Sequence, residues 1–218
     1  QEYDVHQWKA AAFSTLGILK DPLLSSMRRY STFDLASLLI HEQTHATIYL
    51  KNQTQFNEEL ATFVGNEGGL RFLAATQGDS SSEYRAAVRQ LQFQDHMQQW
   101  VRDLYAALDS LYRSDIRRTE KIREKQRIIS SYRDAFVQEH GALFTPKGLD
   151  AFKSAEINNA WLNARKTYTG NLDLYYQIYE KNGRDLRRTV ADLSAVRNVR
   201  MAPVDYIRQQ LLGQKADT

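Results

Sequence analysis

The chain has 218 residues, with 29 basic and 26 acidic side chains giving a net charge of +3, and no cysteine. Its length suits one domain of ordinary size with a real core, and argues against a miniprotein or two full domains. The near-balanced charge is weak evidence for a nucleic-acid ligand. The lack of thiols excludes disulfide frameworks, thiolate metal sites and cysteine nucleophiles, so any metal must be held by histidine and carboxylate.

No stretch approaches the roughly twenty apolar residues of a membrane span, and the first nine residues lack the apolar centre of a signal peptide, so the chain as given reads as soluble. It opens with Gln rather than Met, which leaves open a leader or a domain upstream. With only three prolines, and long segments rich in Ala, Leu, Gln, Arg, Glu and Lys, the expected class is mainly α. The exception is Lys9 to Ile18, which ends near a glycine and the Asp21-Pro22 turn and reads as one short extended strand.

Ser31 or Thr32 can cap a first helix that carries Leu35, Leu38 and Leu39 and runs through His41 and His45 to about Leu50. A polar loop follows, then a helix from Phe56 through Ala75 that ends at Gly78, with Thr54 as a plausible cap. Between Ser82 and His140 there is neither Gly nor Pro. A single rod of that length would span roughly 85 Å, so the expectation is a long projecting hairpin over 82–140, turning near Arg113-Ser114-Asp115 with Ser114 capping the return. Its seam is Met97, Val101, Leu104, Leu108 and Leu111, facing Ile122, Ile129, Tyr132 and Phe136. Beyond a loop over Gly141 to Gly148, residues 151–167 read as helix, Gly170 breaks it, Leu172 to Lys181 resumes it, and Gly183 opens the last segment. The whole is expected to be a single domain over 1–218.

His41-Glu42-Gln43-Thr44-His45 is an HExxH pattern. On a helix it puts two imidazoles on one face, four residues apart, where they can chelate one ion. Glu42 projects about 100° away, beside the open position of such a metal, where it can take a proton from water. HExxH also arises by chance, and the histidines would then be ordinary helix-face residues. Asn57-Glu58-Glu59-Leu60-Ala61-Thr62 opens the next helix after a short loop, so a carboxylate comes within reach. Glu58 would complete a set of two histidines and one carboxylate, with Glu59 a rival and Glu67 a distant one, nearly opposite on the helix. Thr62 is placed to hydrogen-bond a liganding ring. A plainer reading has Glu58 and Glu59 simply favouring a positive helix N-terminus.

The block HEQTHATIYLKNQTQFNEELATFVGNEG, from His41 to Gly68, resembles that of bacterial aminopeptidases of the gluzincin type, which are HExxH zinc metallopeptidases. The similarity extends to Ala12-Phe13-Ser14-Thr15-Leu16-Gly17, to Asp21-Pro22-Leu23-Leu24, to Asn158-Asn159-Ala160 and to Tyr168, so it covers nearly the whole chain. It implies a gluzincin-like helical core with a short N-terminal edge strand, and one zinc ion per chain held by His41, His45 and Glu58. Glu42 would activate the attacking water. The resemblance also implies that an extended peptide adds to the Phe13 to Gly17 strand, where Ser14 is a substrate contact, that Tyr168 assists the oxyanion, and that Asn158 and Asn159 hold substrate backbone. Asn158 and Asn159 are equally readable as ordinary helix-surface amides. Members of that family are longer, which suggests a missing upstream region and a bacterial envelope or periplasmic location.

The expected activity is therefore zinc-dependent peptide hydrolysis on a peptide substrate, aminopeptidase by resemblance, with no nucleic-acid partner. Two rivals stand beside it. Glu42-x-x-His45 is half of a di-iron carboxylate motif, but no second ExxH occurs. A non-catalytic helical interaction module, or an inactive metal-binding relative, would use the basic run Arg113 to Arg127; acidic residues at helical spacing within that run favour a solvated, ion-paired face.

Overall fold

The computed structural model describes residues 4–7 and 25–214, and no strand occurs among them. The strand expected within Lys9 to Ile18, Ser14 included, lies outside the described residues. The described chain is mainly α, as its composition predicts: α1 (Thr32–Thr47), α2 (Thr54–Gln77), α3 (Ser82–Arg113), α4 (Arg118–His140), α5 (Pro146–Ser154), α6 (Asn159–Thr169), α7 (Leu172–Lys181), α8 (Leu186–Ser194) and α9 (Pro203–Tyr206). Among the described residues no helix is long and apolar enough to cross a membrane. The chain divides into two compact units, Gln1–Gln7 with Gln92–Lys166, and Trp8–Leu91 with Thr167–Thr218, and the first boundary falls inside α3.

The second unit is built on α1 and α2. Ser31 caps α1, its hydroxyl accepting from the Asp34 amide at 3.0 Å, which leaves one fewer unsatisfied N–H at the helix start. Instead of running to about Leu50, α1 stops at Thr47. The cause is Asn57, a buried side chain that accepts from the Leu50 amide at 2.9 Å and donates to the Leu50 carbonyl at 2.8 Å, so Ile48–Leu50 is held extended. Asn52 then turns the chain at φ 63°, a conformation asparagine tolerates better than most residues. Gln53, not Thr54, is the N-cap of α2.

The two helices meet through glycine. A methyl group on Gly65 would sit 2.7 Å from the Ser37 carbonyl oxygen and 3.3 Å from His41 Cβ, and one on Gly69 would sit 3.0 Å from the Phe33 ring. Phe33, Ser37, His41 and His45 follow at intervals of four on α1, while Glu58, Gly65 and Gly69 share a face of α2. The glycines thus bring the backbones close along the same faces that carry the histidines and Glu58. Behind them, Phe56, Leu60 and Phe63 pack with Leu172, Tyr175, Ile178 and Tyr179 of α7 and with Leu193, Val196 and Ile207. Phe33, Leu73 and Ala87 form a smaller cluster.

In the first unit, α3 from Gln92 onward pairs antiparallel with α4. The Trp100 indole donates to the Tyr132 carbonyl at 2.8 Å, and Phe93 packs on Phe136. Val101, Leu104 and Leu108 are buried as the spacing predicts, with Met97 and Leu111 packed against them, and Ile129 and Phe136 face them. Ile122, expected in the return stripe, is 56% exposed. Ser114 does not cap α4 either: its hydroxyl donates to the Leu111 carbonyl, closing α3, and Arg117 is the cap residue. The helix expected over residues 151–167 is two helices. Asn158 accepts from the Trp161 amide at 2.9 Å, a side-chain cap that starts α6 afresh without any glycine or proline.

Candidate metal centre

His41 and His45 project from successive turns of α1 and meet Glu58 from the first turns of α2. Their Nε2 atoms lie 3.2 Å apart, and Glu58 Oε2 is 3.3 Å from His41 Nε2 and 3.6 Å from His45 Nε2. Among the described residues these three side chains form the group suited to a metal ion. The donor set is a chemical match for zinc, with two imidazole nitrogens and one carboxylate oxygen. So is the spacing. Three corners of a tetrahedron with metal–ligand bonds of about 2.0–2.1 Å lie about 3.3–3.4 Å apart, close to the separations seen.

The two imidazoles also govern the charge of Glu58. Burial pushes the Glu58 carboxyl up, but the hydrogen bonds and charges of the two imidazoles outweigh it and hold the group down at about 2. Glu58 is therefore an anion at neutral pH, the form a cation needs. His45 is buried, and its Nδ1 has no hydrogen-bond partner among the described residues. Thr62, expected to serve a ring, makes no hydrogen bond to either one. Glu42 follows His41 on α1, half-buried, and no hydrogen bond or ion pair to another described residue occupies its carboxylate.

The rivals for the ligand role are elsewhere. Glu59 is fully buried and turned toward α7. It accepts from the Asn171 amide at 2.8 Å, from the Asn171 side chain at 3.1 Å, and from Gln55 at 2.9 Å, with Tyr175 Oη at 3.4 Å. Burial raises its pKa against those donors. Glu67 is buried beside Tyr179 and Arg71, and burial raises it as well. Neither carboxylate is open to a substrate.

Asn158, Asn159 and Tyr168 are the other expected site residues within the described helices. Asn158 and Asn159 belong to the first unit. Asn158 caps α6 and donates to the Val5 carbonyl at 3.0 Å, while Asn159 accepts from the Tyr112 hydroxyl at 2.8 Å. Tyr168 lies in the last turns of α6, and its side chain is outside the described part of the structure. The basic run is ion-paired in part: Arg127 with Glu124 at 2.8 Å, and Lys125 with Asp4 at 2.6 Å. Three features of the centre escape a reading by motif, namely Asn57, the close glycine approach and the burial of Glu59. The glycines were visible as Gly65-Asn66-Glu67-Gly68-Gly69 in an otherwise helical stretch, where glycine costs roughly 1 kcal/mol against alanine and calls for a packing reason.

Residues 1–205 match the model of the family described as “Putative aminopeptidase”. No curated protein and no solved structure matches the chain. The family match extends over nearly the whole chain, including the helices that bring His41, His45 and Glu58 together, and supports a peptidase-like function. The chain belongs to this aminopeptidase family.

Proposed function

We propose that the chain hydrolyses peptide bonds at a zinc centre held by His41, His45 and Glu58, with Glu42 as the general base. The observation that carries this reading is the convergence of three donors, none more than 3.6 Å from the next, with Glu42 adjacent in sequence to one of them. When bound, zinc would polarise the scissile carbonyl and make water more acidic. The protein's own work is proton handling and orientation. Glu42, fixed by the helix one residue from a ligand, takes a proton from the attacking water as the oxygen–carbon bond forms. It then delivers that proton to the nitrogen as the carbon–nitrogen bond breaks, so that the leaving amine departs neutral.

Family membership, and not this geometry, is what supports an amino-terminal preference. Recognition of a free α-amine needs an accessible acidic group, and Glu59 and Glu67 are both buried. The test is a panel of peptides with free and blocked N-termini, incubated with the zinc-loaded chain and with Glu42→Gln. The parent is expected to cleave, and Glu42→Gln to retain zinc while losing roughly 10²–10⁴-fold in rate, the usual worth of a general base. Undiminished cleavage by the variant would remove Glu42 from the mechanism.

A further inference from the structure

Glu59 adjoins the ligand Glu58 in sequence but is turned away toward α7, and its surroundings are costly to build. With 0% of its surface exposed, it has given up hydration, and a buried carboxylate surrounded by hydrogen bonds seldom adds net stability over an apolar replacement. Its partners show what the arrangement achieves. Glu59 Oε1 receives the Asn171 backbone N–H and, from one turn earlier on its own helix, the Gln55 amide, while Oε2 faces Tyr175 Oη. The carboxylate therefore joins the start of α2 to the N-terminus of α7, where an unsatisfied N–H and the helix dipole both favour an anion.

That join fixes the rotation of the first turns of α2. Glu58 is the preceding residue, about 100° round the helix, so any roll of this turn moves Glu58 directly against donor separations of 3.3 and 3.6 Å. We propose that Glu59 is a positioning residue for the metal ligand Glu58, acting through its hydrogen bonds to Asn171 and Tyr175. This inference rests on the zinc reading above and concerns the affinity of that centre, not its existence.

The experiment measures zinc affinity by competition with a chromophoric chelator for the full chain and for Glu59→Gln, Asn171→Ala, Tyr175→Phe and the exchange variant Glu59→Gln/Asn171→Asp. Circular dichroism and thermal unfolding of the metal-free proteins run alongside. Glu59→Gln sets an amide against the Asn171 and Tyr175 donors, and is expected to fold yet bind zinc about 10–100-fold more weakly, the usual loss when support for a metal ligand is removed. The exchange variant restores an amide-to-carboxylate pair across the same contact and is expected to recover most of that loss. A merely structural Glu59 would lower unfolding temperature and leave the affinity of the folded protein within about twofold; that result overturns the proposal. Should Glu59→Gln fail to fold, Asn171→Ala and Tyr175→Phe leave the carboxylate in place and decide the matter by the same criterion. A parent chain that takes up no zinc removes the metal centre and this role together, whereas a parent that binds beside variants that bind equally removes this role alone.

Discussion

Gly65 is where the spacing of the two site helices is set, and replacing it with alanine gives a sharp test. The added methyl would lie 2.7 Å from the Ser37 carbonyl oxygen, a backbone atom that cannot swing aside, and 3.3 Å from His41 Cβ. Relief to ordinary contact near 3.4 Å requires α1 and α2 to separate locally by roughly 0.7 Å. Overpacking of this kind costs typically about 1–3 kcal/mol, and the better helix propensity of alanine returns about 1 kcal/mol. A net loss of up to about 2 kcal/mol follows, or up to about 8 °C in Tm for a chain of this size. The same displacement falls on a ligand cluster whose members are 3.2–3.6 Å apart, so zinc affinity should fall too. Thermal unfolding with and without zinc reads both effects, because bound metal stabilises in proportion to its affinity. Gly141→Ala is the control, since a methyl there would meet only Val137 Cγ1 at 3.7 Å and should be neutral. An unchanged Tm and an unchanged zinc response in Gly65→Ala would refute the idea that backbone contact sets the site.

Asn57→Ala removes two partly buried hydrogen bonds to Leu50 and is expected to cost about 1–3 kcal/mol, measured as a lower urea midpoint. Glu67→Gln tests the raised pKa of a buried carboxyl. A group that holds its proton more tightly when folded disfavours the native state as pH rises through its unfolded value of 4.5 toward its folded one. The variant should therefore gain stability relative to the parent between pH 4 and pH 7 in urea titrations; a difference that shrinks over that range contradicts the assignment.

Much of this centre was legible because its parts are local. HExxH needs only helical spacing to bring His41 and His45 together, and Glu58 follows within one short loop, so no long-range pairing had to be guessed. The bounds of α7 were readable from Gly170 and Gly183 on either side. What stayed hidden depends on side chains acting on distant backbone. Asn57 ends α1 early by holding Leu50 extended, Asn158 splits a helix that carries no breaker, and Ser114 closes the helix before it instead of opening the one after. The burial of Glu59 depends on Asn171, 112 residues away, and two adjacent glutamates look alike until the partner helix is in place.

The most direct test of the central claim is the metal content of the purified chain by elemental mass spectrometry, beside Glu58→Gln and His45→Ala prepared identically. The account predicts near-stoichiometric zinc in the parent and its loss in both variants. A parent chain without zinc, even after reconstitution, would contradict it.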